Sequence, residues 1–341
     1  MADSLLSPVV GMVMCTASAS AIAFSVAKVK EDDLCEKKIP VIGVMGAFVF
    51  TAQMINFTIP ATGSSGHISG GILLAVMLGS FPALLAMSAV LIIQCLFFAD
   101  GGLLALGCNI FNLGVIPCLL VYPLIFKPFV KKNVTIGKIS AASVIAAVAA
   151  LQLGAFAVVL ETRISGITGL PLRAFLLLMQ PIHLVIGVIE GIVTAAILCF
   201  VYKMRPEIME SAYERTAVKS DVSVRGVLAI LAVIALVTGG VFSLFVSSHP
   251  DGLEWSIEKI TGTTELEVKG SFLEGAASIQ EKTVFLPDYD FKGAMENGSG
   301  LGTSVAGITG GVFTFMLAGI FVIIISLIKK KRKNPNAATS L

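Results

Sequence analysis

The sequence predicts an all-α integral membrane protein, a seven-helix bundle followed by a two-helix hairpin with a large external loop. Three observations carry this. Hydrophobic residues make up 56% of the 341 and charged residues only 13%, where a soluble domain carries about 25% charged. Mean hydropathy is +0.92. The apolar residues also come in runs of about 20, the length that crosses a hydrocarbon core as a helix, and a helix satisfies its own backbone in lipid.

The runs place spans near 8–28, 39–56, 68–81, 83–98, 103–126, 139–161, 180–202, 226–247 and 304–328. The stretch 68–98 is interrupted at Gly79-Ser80-Phe81-Pro82, which leaves open two short helices with a tight turn or one long tilted helix. Basic residues favour two. Lys28, Lys30, Lys37 and Lys38 form one cluster, and Lys127, Lys131, Lys132 and Lys138 a second. Lys203, Arg205, Arg215, Lys219 and Arg225 form a third, and Lys329, Lys330, Lys331, Arg332 and Lys333 a fourth. The positive-inside rule puts all four in the cytosol, which requires four spans between the first two clusters. The amino terminus, 57–67, 99–102, 162–179 and 248–303 then lie outside and the carboxyl terminus inside. No basic residue precedes the first apolar run, so no cleavable signal is expected.

Residues 1–203 read as one membrane domain, the polar stretch 204–225 as a cytosolic linker, and 226–341 as a two-span domain around the external loop 248–303. That loop carries ten acids against four lysines. A net charge of +2 gives no reason to expect nucleic acid. The six cysteines, Cys15, Cys35, Cys95, Cys108, Cys118 and Cys199, have no paired spacing and read as small buried hydrophobes. No phosphate-binding loop, zinc-protease motif or nucleophile elbow occurs, so an enzyme is not expected and ATP has no site on this chain.

The chain has three histidines. His67 lies in the external run Thr62-Gly63-Ser64-Ser65-Gly66-His67-Ile68-Ser69-Gly70-Gly71, where glycines allow close backbone approach and an imidazole is a good ligand for borderline metals. A solvated loop histidine is the plainer alternative. Asp100, Asn109 and Asn112, with Gln53 and Asn56, gather polar groups near the outer side. Asn109 and Asn112 share a helix face, and such groups line a site or bond between helices. His183 and Glu190 share a face two turns apart and read first as helix packing. His249 reads as a turn residue. Ala19, Ala23 and Ala27 in the first span, and Gly307 with Gly311 in the last, are small residues at i, i+4 that mark close packing, within the bundle or to a partner.

These residues resemble a known family. Ser65-Gly66-His67-x-x-Gly70-Gly71, Ala52-Gln53-Met54-Ile55-Asn56-Phe57, Phe98-Ala99-Asp100-Gly101-Gly102, Gly107-x-Asn109-x-Phe111-Asn112 and His183-x-x-Ile186-Gly187-x-x-Glu190-Gly191 look like the CbiM/NikM substrate-binding components of energy-coupling factor (ECF) importers for cobalt and nickel. Pro250-Asp251-Gly252-Leu253-Glu254 and Leu286-Pro287-Asp288-Tyr289 are similar to the two-span PDGLE partner often fused behind it. The resemblance implies Ni(II) or Co(II) as transported substrate, a transmembrane coupling protein and two cytosolic ATPases as partners, and a metal held by nitrogen. Those nitrogens are the terminal amine (here of Met1), the amide and ring of a second-position histidine, and the histidine matching His67. The family opens Met-His-Ile-Pro-Asp-Gly-Phe-Leu-Ser-Pro, whereas this chain opens Met1-Ala2-Asp3-Ser4-Leu5-Leu6-Ser7-Pro8. The alignment is two residues short ahead of Asp3, which leads to the expectation of a natural start at Met-His, with Asp3 and Asp100 as the next ligands to examine otherwise. Ser65 and Asn56 are expected beside the metal or its path. Two other classes stay open on the residues alone: a self-sufficient cation carrier or channel, with Glu190 as its one mid-membrane charge, and a non-transporting scaffold or sensor.

Overall fold

The computed structural model describes residues 1–31, 35–131, 134–209, 225–264, 266, 271–291 and 301–333. The expected linker 204–225 and the stretch 292–300 fall largely outside these. Helices dominate. They are α1 (Pro8–Glu31) and α2 (Cys35–Gln53), then α3 (Gly71–Leu78), α4 (Ser80–Phe98) and α5 (Leu106–Val130). There follow α6 (Ile136–Ser165), α7 (Leu172–Met204), α8 (Arg225–Gly240), α9 (Gly252–Thr261), α10 (Ser271–Thr283) and α11 (Leu301–Lys333). A small antiparallel hairpin, β1 (Phe57–Ile59) with β2 (Ser64–Gly66), sits between α2 and α3, with Phe57 opposite Gly66 and Ile59 opposite Ser64.

Six helical stretches among the described residues are long and apolar enough to cross a bilayer: Pro8–Val29, Ser80–Phe98, Leu106–Val130, Ile136–Ser165, Leu172–Met204 and Leu301–Phe321. The runs expected at 39–56 and 226–247 correspond to shorter apolar helices, Pro40–Gln53 and Gly226–Gly240. The break inside 68–98 is real. Gly79 at φ 85° ends α3 and starts α4, a left-handed backbone that favours glycine. α3 has eight residues, about 12 Å at 1.5 Å per residue. That is too short to cross a core of about 30 Å, yet every residue of it is buried. It therefore lies inside the protein as a half-helix rather than facing lipid as a span of its own.

The external segment expected at 162–179 is much shorter in the structure. α6 continues to Ser165 and α7 begins at Leu172, and within the pair Gln152 and Gln180 bond each other's main-chain carbonyls. Gly187 and Gly191 lie against the Val148 and Val144 backbones, so the pair crosses closely. α4 ends in a π-turn, Gln94–Phe98, and α5 is π-helical from Phe111 to Phe126. Pro117 and Pro123 fall in that widened stretch, where their missing N–H groups are tolerated.

α8 and α11 pack on α2. A Cβ at Gly307 would lie 2.4 Å from the Gly239 carbonyl, one at Gly310 would meet the Phe50 ring, and one at Gly43 the Phe315 ring. Small residues in α11 thus do what their spacing predicted. Ala19 and Ala23 do not: both are exposed on α1, only 17% of whose span is buried. The inward face of α1 is Gly11, Cys15 and Ser18 instead. Ser18 Oγ donates to the Gly107 carbonyl at 2.6 Å, and a Cβ on Gly107 would strike the Cys15 backbone. Ala19 and Ala23 thus lie on the face of α1 turned away from the described helices. The five cysteines whose side chains are described are free, and three of them are buried; the side chain of Cys35 lies outside the description.

Candidate metal-capture site

The loop carrying His67 is gripped from beneath. Gly70 at φ 72° lies against Val49 with no room for a side chain. Glu190, fully buried on α7, accepts from the Ser69 N–H at 2.8 Å, the Ser69 hydroxyl at 2.8 Å and the Gly70 N–H at 3.1 Å. Gln53 Nε2 donates to the Ser69 carbonyl at 2.6 Å. Glu190 is therefore not a helix-packing bond as its spacing suggested. It fixes Ser69 and Gly70, just after His67. A Cβ on Gly66 would lie 2.6 Å from Ile186 Cγ1, so the hairpin leans on α7 on its other side as well. Sequence reasoning missed this because the partners are more than a hundred residues apart.

Above the loop lies the second part of the chain. The Ser65 N–H donates to the Pro250 carbonyl at 2.8 Å and its hydroxyl to the His249 carbonyl at 2.8 Å. Trp255 Nε1 donates to the Thr62 carbonyl at 3.0 Å, and the Ser247 N–H to the Asn56 carbonyl at 2.9 Å. Asp251 caps α9, accepting from the Leu253 and Glu254 N–H groups in a capping box. Through these bonds the turn 249–252 adds to the outer edge of β2.

Between these layers is a cavity of about 110 Å³. Met1, His67, Ser69, Asn109, Asn112, His183 and Asp251 supply its polar wall, and Leu113, Pro117, Leu151 and Ile186 much of its apolar wall. His67 is half-buried, with one long contact at 3.5 Å from Nδ1 to the Ile68 carbonyl. Its ring is thus little committed to protein partners. Asn109 and Asn112, predicted to share a face, both reach the cavity. His183, read from sequence as packing, reaches it too, while its Nδ1 donates to the Met179 carbonyl at 2.8 Å. The remaining candidates stand apart. Ser65 and Asn56 serve the hairpin's contacts to 247–250. Asp100 is exposed and accepts from the Tyr289 phenol. Asp3 accepts from the Ala105 N–H at 2.8 Å. His249 is exposed in the turn, as expected of a turn residue.

One residue escaped the sequence reading altogether. Glu161, at the end of an expected span, is buried and accepts from Asn112 Nδ2 at 2.9 Å. It holds the cavity asparagine from behind. An acid placed at the rim of an apolar run was the available signal.

Among the described residues, no three His, Cys, Asp or Glu side chains stand close enough to hold a metal ion by themselves. The Met1 end of the chain lies in the cavity wall. It is held there by the Gly102 N–H donating to the Met1 carbonyl at 3.1 Å. Gly102 itself meets Asp3 so closely that no side chain would fit.

Residues 1–208 match the family described as the cobalt uptake substrate-specific transmembrane region, CbiM, and residues 225–327 match the PDGLE domain. A fused nickel transport protein, NikMN, of Archaeoglobus fulgidus is 30% identical over 83% of this chain and 85% of its own length. A cobalt transport protein, CbiM, of Geobacter sulfurreducens is 29% identical over 50% of this chain and 49% of its own. The crystal structure of a transition metal transporter superposes with a TM-score of 0.53 at 27% identity, covering 63% of this chain and 99% of that one.

Proposed function

The chain belongs to the CbiM family, with a PDGLE domain behind it, and we propose that it captures Ni(II) or Co(II) at the outer face of the membrane as the substrate-binding subunit of an ECF importer. Its relatives are cobalt and nickel transport proteins, and its apolar helices make it a multi-pass membrane protein. The observation that carries the reading is the placement of His67. Its loop is clamped by Glu190 and Gln53, so a lightly committed imidazole is held at a cavity wall shared with Met1, Asn109 and Asn112. Nitrogen donors of this kind suit Ni(II) and Co(II) and discriminate little between them. A site held before the metal arrives loses less ordering entropy on binding.

In this reading the amino terminus is outside and the carboxyl terminus cytosolic, following the basic clusters. The domains are 1–203, the linker 204–225 and 226–341. Energy comes from a separate transmembrane coupling protein and two cytosolic ATPases. Glu190, the charge that a self-sufficient carrier would use, is already engaged by three donors, which speaks against that alternative.

The test is H67A in the full chain, expressed with its coupling partners. Metal retention and uptake are expected to be lost while membrane insertion is unchanged. Wild-type uptake by H67A would overturn the assignment. The isolated chain in liposomes is expected to accumulate no metal against a gradient, and concentrative uptake without ATP would favour the carrier.

A further inference from the structure

We propose that His183 is a second metal ligand of this cavity, offering its Nε2 to the ion that His67 binds. The proposal rests on the reading of His67 given above. Of the three histidines in the chain, two line one cavity, and the third lies in the turn whose backbone covers the hairpin beside it.

The hydrogen bonding of His183 decides its tautomer. A carbonyl can only accept, so the Nδ1 that meets the Met179 carbonyl at 2.8 Å carries the proton. The neutral ring then has its lone pair on Nε2. This is the arrangement by which metal-binding histidines are oriented: one ring nitrogen is tied to a carbonyl or carboxylate and the other is presented to the ion. A histidine needed only for packing would gain nothing from a wall position on a polar cavity, and a polar side chain within a span is costly unless it has work to do.

The neighbours bring the elements that carry the two rings together at the cavity. Ile186, one turn beyond His183, meets the backbone of Gly66, the residue before His67. The same isoleucine, and the His183 ring itself at Cε1, meet Gly252, the residue after Asp251. The hairpin, the 249–252 turn and α7 therefore converge beside His183, and Asp251 also lines the cavity. Two imidazoles from different elements plus terminal or main-chain nitrogen is a donor set that Ni(II) and Co(II) accept.

The test uses Co(II) as probe on the purified full chain, with X-ray absorption to count imidazoles and a titration to measure affinity. The informative variant is H183N. The asparagine amide can take the place of Nδ1 and keep the bond to the Met179 carbonyl, but nothing replaces Nε2. The wild type is expected to show two imidazoles per cobalt. H183N is expected to show one, with affinity lowered about tenfold or more. H183Q, which puts an amide at the Nε2 position, is expected to lose the second imidazole as well, which guards against a folding defect peculiar to H183N. A wild-type spectrum with one imidazole, or H183N binding with wild-type affinity, overturns the proposal. If H67A loses cobalt while H183N keeps it, only the second ligand is wrong. If H67A also binds as the wild type does, the reading of His67 fails with it.

Discussion

Two carboxylates hold loops in this protein, and they do so differently. Glu190 is buried and accepts from three donors, two of them main-chain N–H groups. Asp100 is exposed and accepts from one phenol, that of Tyr289 in the second domain. The first grip lies within residues 1–208 and fixes the loop of His67. The second ties the two parts together at the π-turn closing α4. There, Gln280 Nε2 also donates to the Cys95 and Gly101 carbonyls at 2.9 and 2.8 Å, and Tyr289 stacks on Phe98 with ring centroids 5.1 Å apart. Much of the second grip is aromatic contact, because Phe285 also packs on Phe97 and Phe98. The difference teaches that the first domain grips the loop of His67 from beneath at one buried acid, whereas the second domain is fastened by many separate, individually modest contacts.

The comparison predicts unequal losses. E190A should have the largest effect. It leaves three donors buried without an acceptor, each worth about 1–3 kcal/mol, so thermal stability and metal retention should both fall steeply. E190Q keeps an acceptor oxygen and should fall less. A melt of E190A within a degree or two of the wild type would show that the loop is held by something else. G307L should come next. It drives a side chain into the Gly239 backbone, so α8 and α11 should separate from each other. Limited proteolysis should then cut the second domain first while His67 still binds metal. Loss of metal binding with an intact second domain would reverse that order.

W255F is expected to have a smaller effect. It removes the bond to the Thr62 carbonyl but keeps most of the ring, and should cost about 1 kcal/mol, seen as faster deuterium exchange at 250–257. Y289F should be the mildest, since the stack on Phe98 survives. Burial, then the neighbouring Asp100, hold the Tyr289 phenol well above its ordinary value of 10. The sign follows: the folded state keeps the proton where an unfolded chain would release it. The contribution is therefore complete below about pH 10 and is lost as pH rises through the folded value. The wild type should lose stability above pH 10 faster than Y289F. Equal slopes would remove Tyr289 from the clasp.

What the sequence made legible follows from periodicity and local chemistry. Apolar runs mark the long helices, Gly79 marks the break between α3 and α4, and the glycines around His67 mark a tight loop. Asn109 and Asn112 share a face because i and i+3 always do. The contacts of Glu190 and the surroundings of His183 were not legible, since each depends on a chain segment far away in sequence, Ser69 and Gly70 for one and Gly252 for the other. Small residues at i, i+4 were ambiguous for a physical reason. The spacing permits close approach but does not say to what, and it is used in α11 against α8 yet left outward at Ala19 and Ala23. Glu161 was passed over because an acid at a span's rim looks like the first solvated residue, and only the Asn112 bond shows that it faces inward.

The central claim is that the cavity at His67 holds the transported metal. The most direct measurement is a structure of the full chain soaked with Co(II) and phased near the cobalt edge. The account predicts one strong anomalous peak in the cavity within bonding distance of a His67 ring nitrogen. A peak at Asp100 or His249 instead, or a cavity with none while the protein is shown to retain cobalt, would contradict it.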